Sequence, residues 1–486
     1  MKAVSRAVSQ PALEGAREQE RFLRPARLRG LARLFAGAMA VALIGYAFLG
    51  RGFSYIGVPP LFLDSALFVL ALMVLLCRLG WLRVLADPSA ALLACYMIWG
   101  AVRTVPYVGQ YGIDALRDAV IWAWGIFAFA LAYVFTRAGI AGRAVRWYGR
   151  YMTWMTLWAP IALSVYWWAN SLLPRFPWGP GDGVPVLNPK GGDIAVHLAG
   201  LLAFGMLLTP GVTKIRLSVP PFFWTGWTVS FALVGFTGRA AFLTVAFSGL
   251  LLMLLRLDLV RWLRATAVIT AILVLLASSG LELRTPSGRS VSFNQLLTNV
   301  ASIFGEAPEF SGEGTKQWRL AWWEVIVRYT FFGEYFWTGK GFGVNLASED
   351  GFQVTSDNSL RSPHNGHLTV LARMGVTGFV IWISFIIVLF IRLVLGYYRW
   401  LQRRDALQSG VRLTLLVYLT AALINASFDV YLEGPHGGIW FWSLVGAALG
   451  VLVRDRPFVL RPQSAAIACR RQEPAARCGP GLGRRM

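Results

Sequence analysis

The side chains best suited to acid–base chemistry stand where a long polar loop runs into an apolar segment, in the stretch SPHNGH at residues 362–367. His364 and His367 are three residues apart, and Pro363 favours a helix start just after it, so both rings would share one helix face. An imidazole titrates near neutral pH, which suits it to accept a proton from a hydroxyl group. The spacing allows a general base, and it equally allows two histidines that only form hydrogen bonds.

Two arginines offer the complementary chemistry of anion binding. Arg239 lies in a short turn between two apolar segments, and Arg319 lies in the long polar loop that precedes His364. A guanidinium stays charged near lipid, and its planar fork pairs with two oxygens of a phosphate group. A single arginine at a membrane boundary more often only extends its charge to water, so these two are candidates in combination with the histidine.

The elements that must position these residues are apolar helices. The chain is 56% hydrophobic and 14% charged, with 21 Trp and 31 Phe. Its apolar runs approach the length of about 20 residues that crosses a bilayer. We predict an all-α, polytopic integral membrane protein with about twelve transmembrane helices and one long extracytoplasmic loop. The predicted spans lie near residues 31–50, 61–77, 90–106, 118–136, 151–173, 193–209, 222–236, 240–255, 266–280, 367–391, 413–430 and 439–453.

The distribution of basic residues predicts how these spans are oriented. The net charge is +22, but lysines and arginines fall between the apolar runs instead of forming one stripe, which disfavours a nucleic-acid partner. With the N-terminus in the cytoplasm, most of the 46 basic residues fall in the inner segments, and each short outer loop holds at most two. Arg239, Arg319 and His364 then all face the extracytoplasmic side.

The predicted organisation follows from this topology. It comprises a disordered basic cytoplasmic arm at 1–30, transmembrane helices 1–9 at 31–280, a large periplasmic loop at 281–366, transmembrane helices 10–12 at 367–453, and a disordered basic cytoplasmic tail at 454–486.

The periplasmic loop contains an amphipathic helix between residues 315 and 332. Its apolar residues recur at steps of three and four and form one arc, and Arg319 lies on the flank of that arc. Two interpretations stay open: a helix that lies on the outer leaflet, and a helix packed on the protein's own spans. The residues of the arc are Trp318, Trp322, Val325, Tyr329 and Phe332.

Three sequence patterns, in order along residues 222–453, resemble those of the O-antigen ligase-like family, which includes O-antigen ligases, O-antigen polymerases and exopolysaccharide polymerases. The first is His364-Asn365, followed after nine residues by Gly375 and after two more by Gly378. The second is an Arg-x3-Leu pattern that begins at Arg239. The third, a looser match, comprises Arg319, Trp323 and the Gly-x-Gly pattern at 339–341.

The resemblance implies a metal-independent, inverting glycosyltransferase that uses no cofactor. It would transfer a glycan from a polyprenyl (undecaprenyl) diphosphate carrier to an acceptor on the periplasmic side of the bacterial inner membrane. His364 would deprotonate the acceptor hydroxyl, and Arg239 and Arg319 would hold the diphosphate. The implied partners are the lipid-linked oligosaccharide or polysaccharide donor, a lipid A-core or glycan acceptor, and membrane lipids.

Several residues and two other functions are secondary possibilities. His367 could orient His364, Arg373 could line the site, and Asp429 loosely matches a family feature. The resemblance favours a ligase, with a polymerase of the same family as the alternative. A multi-span transporter is the alternative from another class, although such proteins usually contain repeated halves and broken helices near the membrane midplane, which this sequence does not suggest.

Overall fold

The computed structural model describes residues 30–137, 140–178, 182–208, 222–256, 258–280, 283–284, 290–292 and 313–455. The predicted arm at 1–30 and tail at 454–486 lie almost wholly outside these residues, as does most of the first part of the predicted periplasmic loop.

The described chain is built from α-helices joined by turns, short 3₁₀ helices and three two-residue hairpins. The helices are α1 (Leu31–Leu49), α2 (Leu63–Cys77), α3 (Pro88–Tyr111), α4 (Ile113–Ala123), α5 (Gly125–Phe135), α6 (Ile140–Tyr151), α7 (Met155–Trp168), α8 (Gly191–Leu207), α9 (Phe223–Thr237), α10 (Arg239–Leu255), α11 (Leu259–Ser278), α12 (Glu313–Phe331), α13 (Leu346–Glu349), α14 (Gly366–Gln402), α15 (Ala406–Ala426) and α16 (Pro435–Arg454). The antiparallel hairpins pair β1 (Gly57–Val58) with β2 (Leu61–Phe62), β3 (Arg175–Phe176) with β4 (Val184–Pro185), and β5 (Leu283–Arg284) with β6 (Ser290–Val291).

The prediction of an all-α polytopic membrane protein agrees with this architecture. Each of the twelve predicted spans overlaps a described helix. By length and composition, six described helical segments could cross a membrane, one of them formed by α4 and α5 together (Ile113–Phe135). The number is seven if α2 and the following 3₁₀ helix, bent by 88°, form one span. Helices α8 and α10 are apolar but only 17 residues long. The number of twelve spans therefore stays a prediction.

Contacts between residues far apart in the sequence mark the two ends of the described helix bundle. At one end, the Trp178 indole donates to the Tyr55 carbonyl at 2.9 Å, and Arg361 pairs with Asp118 at 2.9 Å. These residues lie in segments predicted to be outside. At the other end, Arg392 pairs with Asp87 at 2.8 Å, among segments predicted to be inside. The alternation of loops along the chain is thus consistent with the predicted topology, whichever end faces the cytoplasm.

Helix directions follow from the packing of α8 against its neighbours. Gly192 lies against Asn425 and Gly200 against Tyr418, so α8 and α15 are antiparallel. Helices α8 and α9 are also antiparallel, since Gly205 contacts Phe223 and the Trp227 indole bonds the Leu198 carbonyl at 2.8 Å. The chain then reverses at Gly238, and Phe231 of α9 stacks on Phe242 of α10. Helices α8 and α10 therefore run parallel, and both begin at the end of the bundle where α15 stops.

Two features of the fold concern segments that the sequence left undecided or missed. Helix α12 packs on the protein itself: Trp322 and Ile326 are buried against Leu371 and Ala372 of α14. This resolves the two interpretations of the amphipathic helix in favour of packing, although Phe332 stays 83% exposed.

Helix α6 was not predicted, because its sequence was assigned to an inner loop.

Candidate functional site

The turn that carries His364 is held in an unusual backbone conformation. His364 has φ 52°, a left-handed conformation that a non-glycine residue keeps only when its surroundings demand it. The Trp323 indole on α12 donates to the Pro363 carbonyl at 2.9 Å. On the other side, the Asn365 side chain caps α14 by accepting from the amides of His367 and Leu368 at 3.0 and 3.1 Å. Capping starts α14 at Gly366, two residues beyond His364. A helix start after Pro363 was predicted, but His364 lies outside the helix in a left-handed conformation, so the expectation that its ring shares a helix face with His367 was wrong.

The imidazole of His364 faces a buried carboxylate. Its Nδ1 lies 3.8 Å from Oδ1 of Asp429, which follows α15, and the His364 side chain is 29% exposed. Asp429 also pairs with Lys190, and Arg51 lies 3.8 Å from its Oδ2. Burial alone would raise the pKa of Asp429, but the surrounding His364, Lys190 and Arg51 outweigh burial and hold that pKa well below its ordinary range.

Arg319 completes this group from the side of α12. Its guanidinium donates to the carbonyl of Phe428 at 3.1 Å, one residue before Asp429. Burial lowers the pKa of Arg319, and the charge of Asp429 opposes that shift. The Nε atoms of Arg319 and Arg51 are buried without a hydrogen-bond partner among the described residues. Asp429 therefore lies among three cations. The charge of Asp193 also acts on Arg51 and Lys190, so two acids face three cations, a small excess of positive charge suited to an anionic ligand.

Arg239 occupies the first residue of α10, directly after Gly238. Because α8 and α10 run parallel, Arg239 lies at the same end of the bundle as Lys190, which precedes α8. The structure therefore places all three residues chosen from the sequence, Arg239, Arg319 and His364, at one end. It brings His364 and Arg319 together around Asp429. For Arg239 it shows the end of the bundle at which the residue lies.

His367 lies one turn into α14 and is bonded on both sides of its ring. The Trp382 indole donates to Nδ1 at 3.1 Å, and Nε2 lies 3.2 Å from the Leu423 carbonyl. An indole N–H can only donate, so Nδ1 accepts, and Nε2 carries the proton and donates to the carbonyl. These bonds favour a neutral His367 that anchors α14 to α15.

Arg373 is fully buried in a second polar network. Its guanidinium lies 2.9 Å from Asp118 and donates to the carbonyls of Gly341 and Val344 at 3.2 Å each. Arg361 pairs with the same carboxylate at 2.9 Å. The network ties α4 and the loop after α12 to the start of α14, so the contacts of Arg373 are those of a scaffold residue. A direct role in lining the site stays a prediction.

The two motif glycines of α14 have different structural tasks. Gly375 has φ 68° and breaks the helix, and a Cβ there would meet the Phe336 carbonyl at 2.6 Å. Gly378 instead permits close packing against Trp99. The Gly-x-Gly loop docks on the break: the Lys340 amide bonds the Ala372 carbonyl at 2.7 Å. Gly378 is therefore needed for close packing, whereas Gly375 is needed for its backbone conformation.

Sequence reasoning missed two cations and two acids of the site region. Arg51 and Lys190 contact Asp429, and both lie in segments predicted to be outside, where basic residues are few. That exception to the positive-inside rule was the available signal. Asp193 lies 3.2 Å from His436, and Glu433 accepts from the Thr369 hydroxyl at 2.9 Å.

Glu433 joins the loop that carries Asp429 to the start of α14. Burial raises its pKa, with Arg373 acting in the opposite direction. No cluster of three or more histidine, cysteine or acidic side chains suited to a metal ion occurs among the described residues. The absence of a metal stays a prediction.

The fold and site together define a class of protein: a multi-pass membrane protein with a histidine, a buried carboxylate and several cations gathered at one end of its helix bundle. Residues 224–383 match the family model described as O-antigen ligase. This match, over about a third of the chain, supports the resemblance to the O-antigen ligase-like family that the motifs suggested, and it indicates a membrane enzyme of the ligase or polymerase type. The matched segment includes Arg239, Arg319 and His364, and it excludes Asp429 and Lys190. A comparison with curated proteins finds no match.

Proposed function

We propose that this protein is an integral membrane glycosyltransferase of the O-antigen ligase type. It transfers a glycan from a polyprenyl (undecaprenyl) diphosphate carrier to an acceptor, such as lipid A-core, at the periplasmic face of the inner membrane. The observation that carries the proposal is the group of His364, Arg319, Lys190 and Arg51 around Asp429.

The cations would bind the donor diphosphate. A glycosyl donor outside the cytoplasm must carry its own activation, and diphosphate is a good leaving group. Arg319 and Arg51 each keep a buried Nε without a described partner, so an incoming phosphate oxygen would satisfy a group that the protein leaves unpaired. Arg239 lies at the same end of the bundle and is proposed as a further donor contact.

His364 would then act as the general base. The Asp429 carboxylate faces Nδ1, which favours the tautomer with its proton on Nδ1 and leaves Nε2 to accept a proton. The acceptor oxygen forms a bond to the anomeric carbon as the bond from that carbon to the diphosphate oxygen breaks. The hydroxyl proton goes to His364 and polyprenyl diphosphate leaves, which inverts the anomeric configuration without a metal or cofactor.

A transfer assay tests this function. Purified protein is given a lipid-linked glycan donor and a lipid A-core acceptor, with and without a chelator. We expect transfer of glycan to lipid A-core at equal rates with and without the chelator. Absence of transfer both to lipid A-core and to a second donor glycan would refute the proposal. Transfer only to a second donor glycan would identify a polymerase instead. In a deletion strain, full-length lipid-linked chains should accumulate if the protein is a ligase, and single units if it is a polymerase.

Reporter fusions test the proposed side of the membrane. Fusions after residue 300 should report a periplasmic location, and fusions after residue 460 a cytoplasmic one. Equal signals from both positions would contradict the topology without bearing on the chemistry.

A further inference from the structure

An apolar groove lies at the end of the bundle opposite the candidate site. It has a volume of about 480 Å³ and is bounded by α1, α5, α6, α15 and α16, with α8 beneath. This volume lies within the range of roughly 300–1,000 Å³ that ligand pockets occupy. The groove takes no part in the proposed transfer reaction.

The groove has the length of one leaflet. Along α1 it is lined from Arg33, in the first turn of the helix, to Leu43. Ten residues of α-helix rise about 15 Å, which is half of the hydrocarbon core of about 30 Å. A single acyl chain from the leaflet at this end would therefore fit the groove along its length.

The mouth of the groove is positively charged. Arg33 and Arg143 both line it and are both exposed, and no acidic side chain occurs among the described residues that line it. Within the groove, the hydroxyl of Thr414 is buried without a hydrogen-bond partner among the described residues. A phosphate at the mouth and an ester oxygen beneath it match these groups.

Helix α6, which forms one wall, has the composition of an interfacial helix. It carries Arg143, Arg146 and Arg150, and also Trp147, while its residues Ile140, Ala141 and Val145 are buried. Basic amphipathic helices with aromatic residues lie at membrane surfaces and favour anionic lipids. This wall therefore supports the same ligand class as the charge at the mouth.

We propose that this groove is a specific site for an anionic glycerophospholipid, whose phosphate lies at Arg33 and Arg143 and whose acyl chain fills the groove. Native mass spectrometry of delipidated protein tests the proposal, with phosphatidylglycerol, phosphatidylcholine and polyprenyl phosphate as probes. Phosphatidylglycerol should bind at least about tenfold more tightly than phosphatidylcholine. An arginine near an anionic lipid surface contributes about 1 kcal/mol to binding, which changes the Kd about fivefold. The double variant Arg33→Gln, Arg143→Gln should therefore bind phosphatidylglycerol about 30-fold more weakly.

Glycine substitutions separate the groove from general lipid contact. A Cβ at Gly37, which lines the groove, would meet nothing within 4 Å, and the same is true of Gly109 on α3, outside the groove. Gly37→Leu should abolish phosphatidylglycerol binding, whereas Gly109→Leu and Arg150→Gln should retain it. Equal binding of both phospholipids, unchanged binding in the double arginine variant, or a preference for polyprenyl phosphate would each overturn the proposal. Thermal unfolding shows whether each variant is folded. If Gly37→Leu does not fold, the substitutions of the exposed arginines still test the proposal.

Discussion

The pairing of His364 with Asp429 makes a quantitative prediction about transfer. In the proposed mechanism, the imidazole gains the acceptor proton in the transition state and becomes positively charged beside a carboxylate 3.8 Å away. Two unit charges at about 4 Å interact by about 4 kcal/mol at an effective dielectric constant of about 20. Partial exposure of His364 and the sharing of Asp429 with Lys190 reduce this value, so Asp429→Asn should lower kcat by about 10- to 1,000-fold.

Removing the base itself should have a larger effect. General-base catalysis contributes about 10²–10⁴-fold, so His364→Ala should lower kcat by that factor at normal expression. Because Asp429 acts on the proton through the histidine, Asp429→Asn in the His364→Ala background should cause little further loss of kcat. A multiplicative loss in the double variant would refute this coupling. The assay is single-turnover transfer from a purified lipid-linked donor, which separates kcat from donor binding.

His367 provides the matched control. It is bonded by Trp382 and to the Leu423 carbonyl, so His367→Ala should lower stability by about 1–3 kcal/mol through unsatisfied buried groups. Transfer by the folded fraction should fall much less than with His364→Ala. If His367→Ala is inactive while His364→Ala is active, the base is assigned to the wrong residue.

Three further outcomes are expected. Arg319→Ala and Lys190→Ala should raise KM for the donor at unchanged protein level. Arg319→Lys should restore donor binding only in part, because an ammonium cannot pair with two oxygens as a guanidinium does. Full activity of both alanine variants would exclude Arg319 and Lys190 from binding the diphosphate. The raised pKa of Glu433 means that folding favours its protonated form, so its contribution to the free energy of unfolding declines as the pH rises from the unfolded pKa of 4.5 towards the folded pKa. Thermal unfolding should therefore show Glu433→Gln to be more stable relative to wild type at pH 8 than at pH 5. An equal stability difference at both pH values would contradict this. Gly375→Ala should lower the unfolding free energy by at least about 2 kcal/mol, because of its positive φ and a backbone clash, while Gly109→Ala should be neutral or stabilising; equal effects of the two would refute the strained role of Gly375.

Local sequence signals predicted the elements of the fold well. The start of α14 was predicted from Pro363 alone, and each predicted span overlaps a helix because apolar composition and helix length are local properties. The break at Gly375 could not be predicted in this way. Its cause is the loop at 336–341, which bonds the backbone on both sides of the break, and such a contact has no local signature.

The site was predicted in part for the same reason. His364 and Arg319 were chosen because they stand in recognisable patterns, and the structure brings both to the loop that carries Asp429, while their roles stay predictions. The packing of α12 on α14 also could not be decided from periodicity, since an apolar arc fits either lipid or protein. The buried faces of Leu371 and Ala372 decided it.

Arg51 and Lys190, the two cations that sequence reasoning missed, are exceptions to the positive-inside rule. Arg51 and Lys190 stand in segments where the rule predicts few basic residues, and each reaches the buried Asp429. A positive charge on that side is not favoured by membrane insertion, so its presence requires another source of stabilisation. Asp429 and Asp193 are two acids near the three cations Lys190, Arg51 and Arg319, so they do not fully neutralise them, and the remaining positive charge is available to a ligand. On the predicted topology, exceptions to the positive-inside rule are therefore candidates for an anion site, and here they point to Arg51 and Lys190, which the family motifs do not contain.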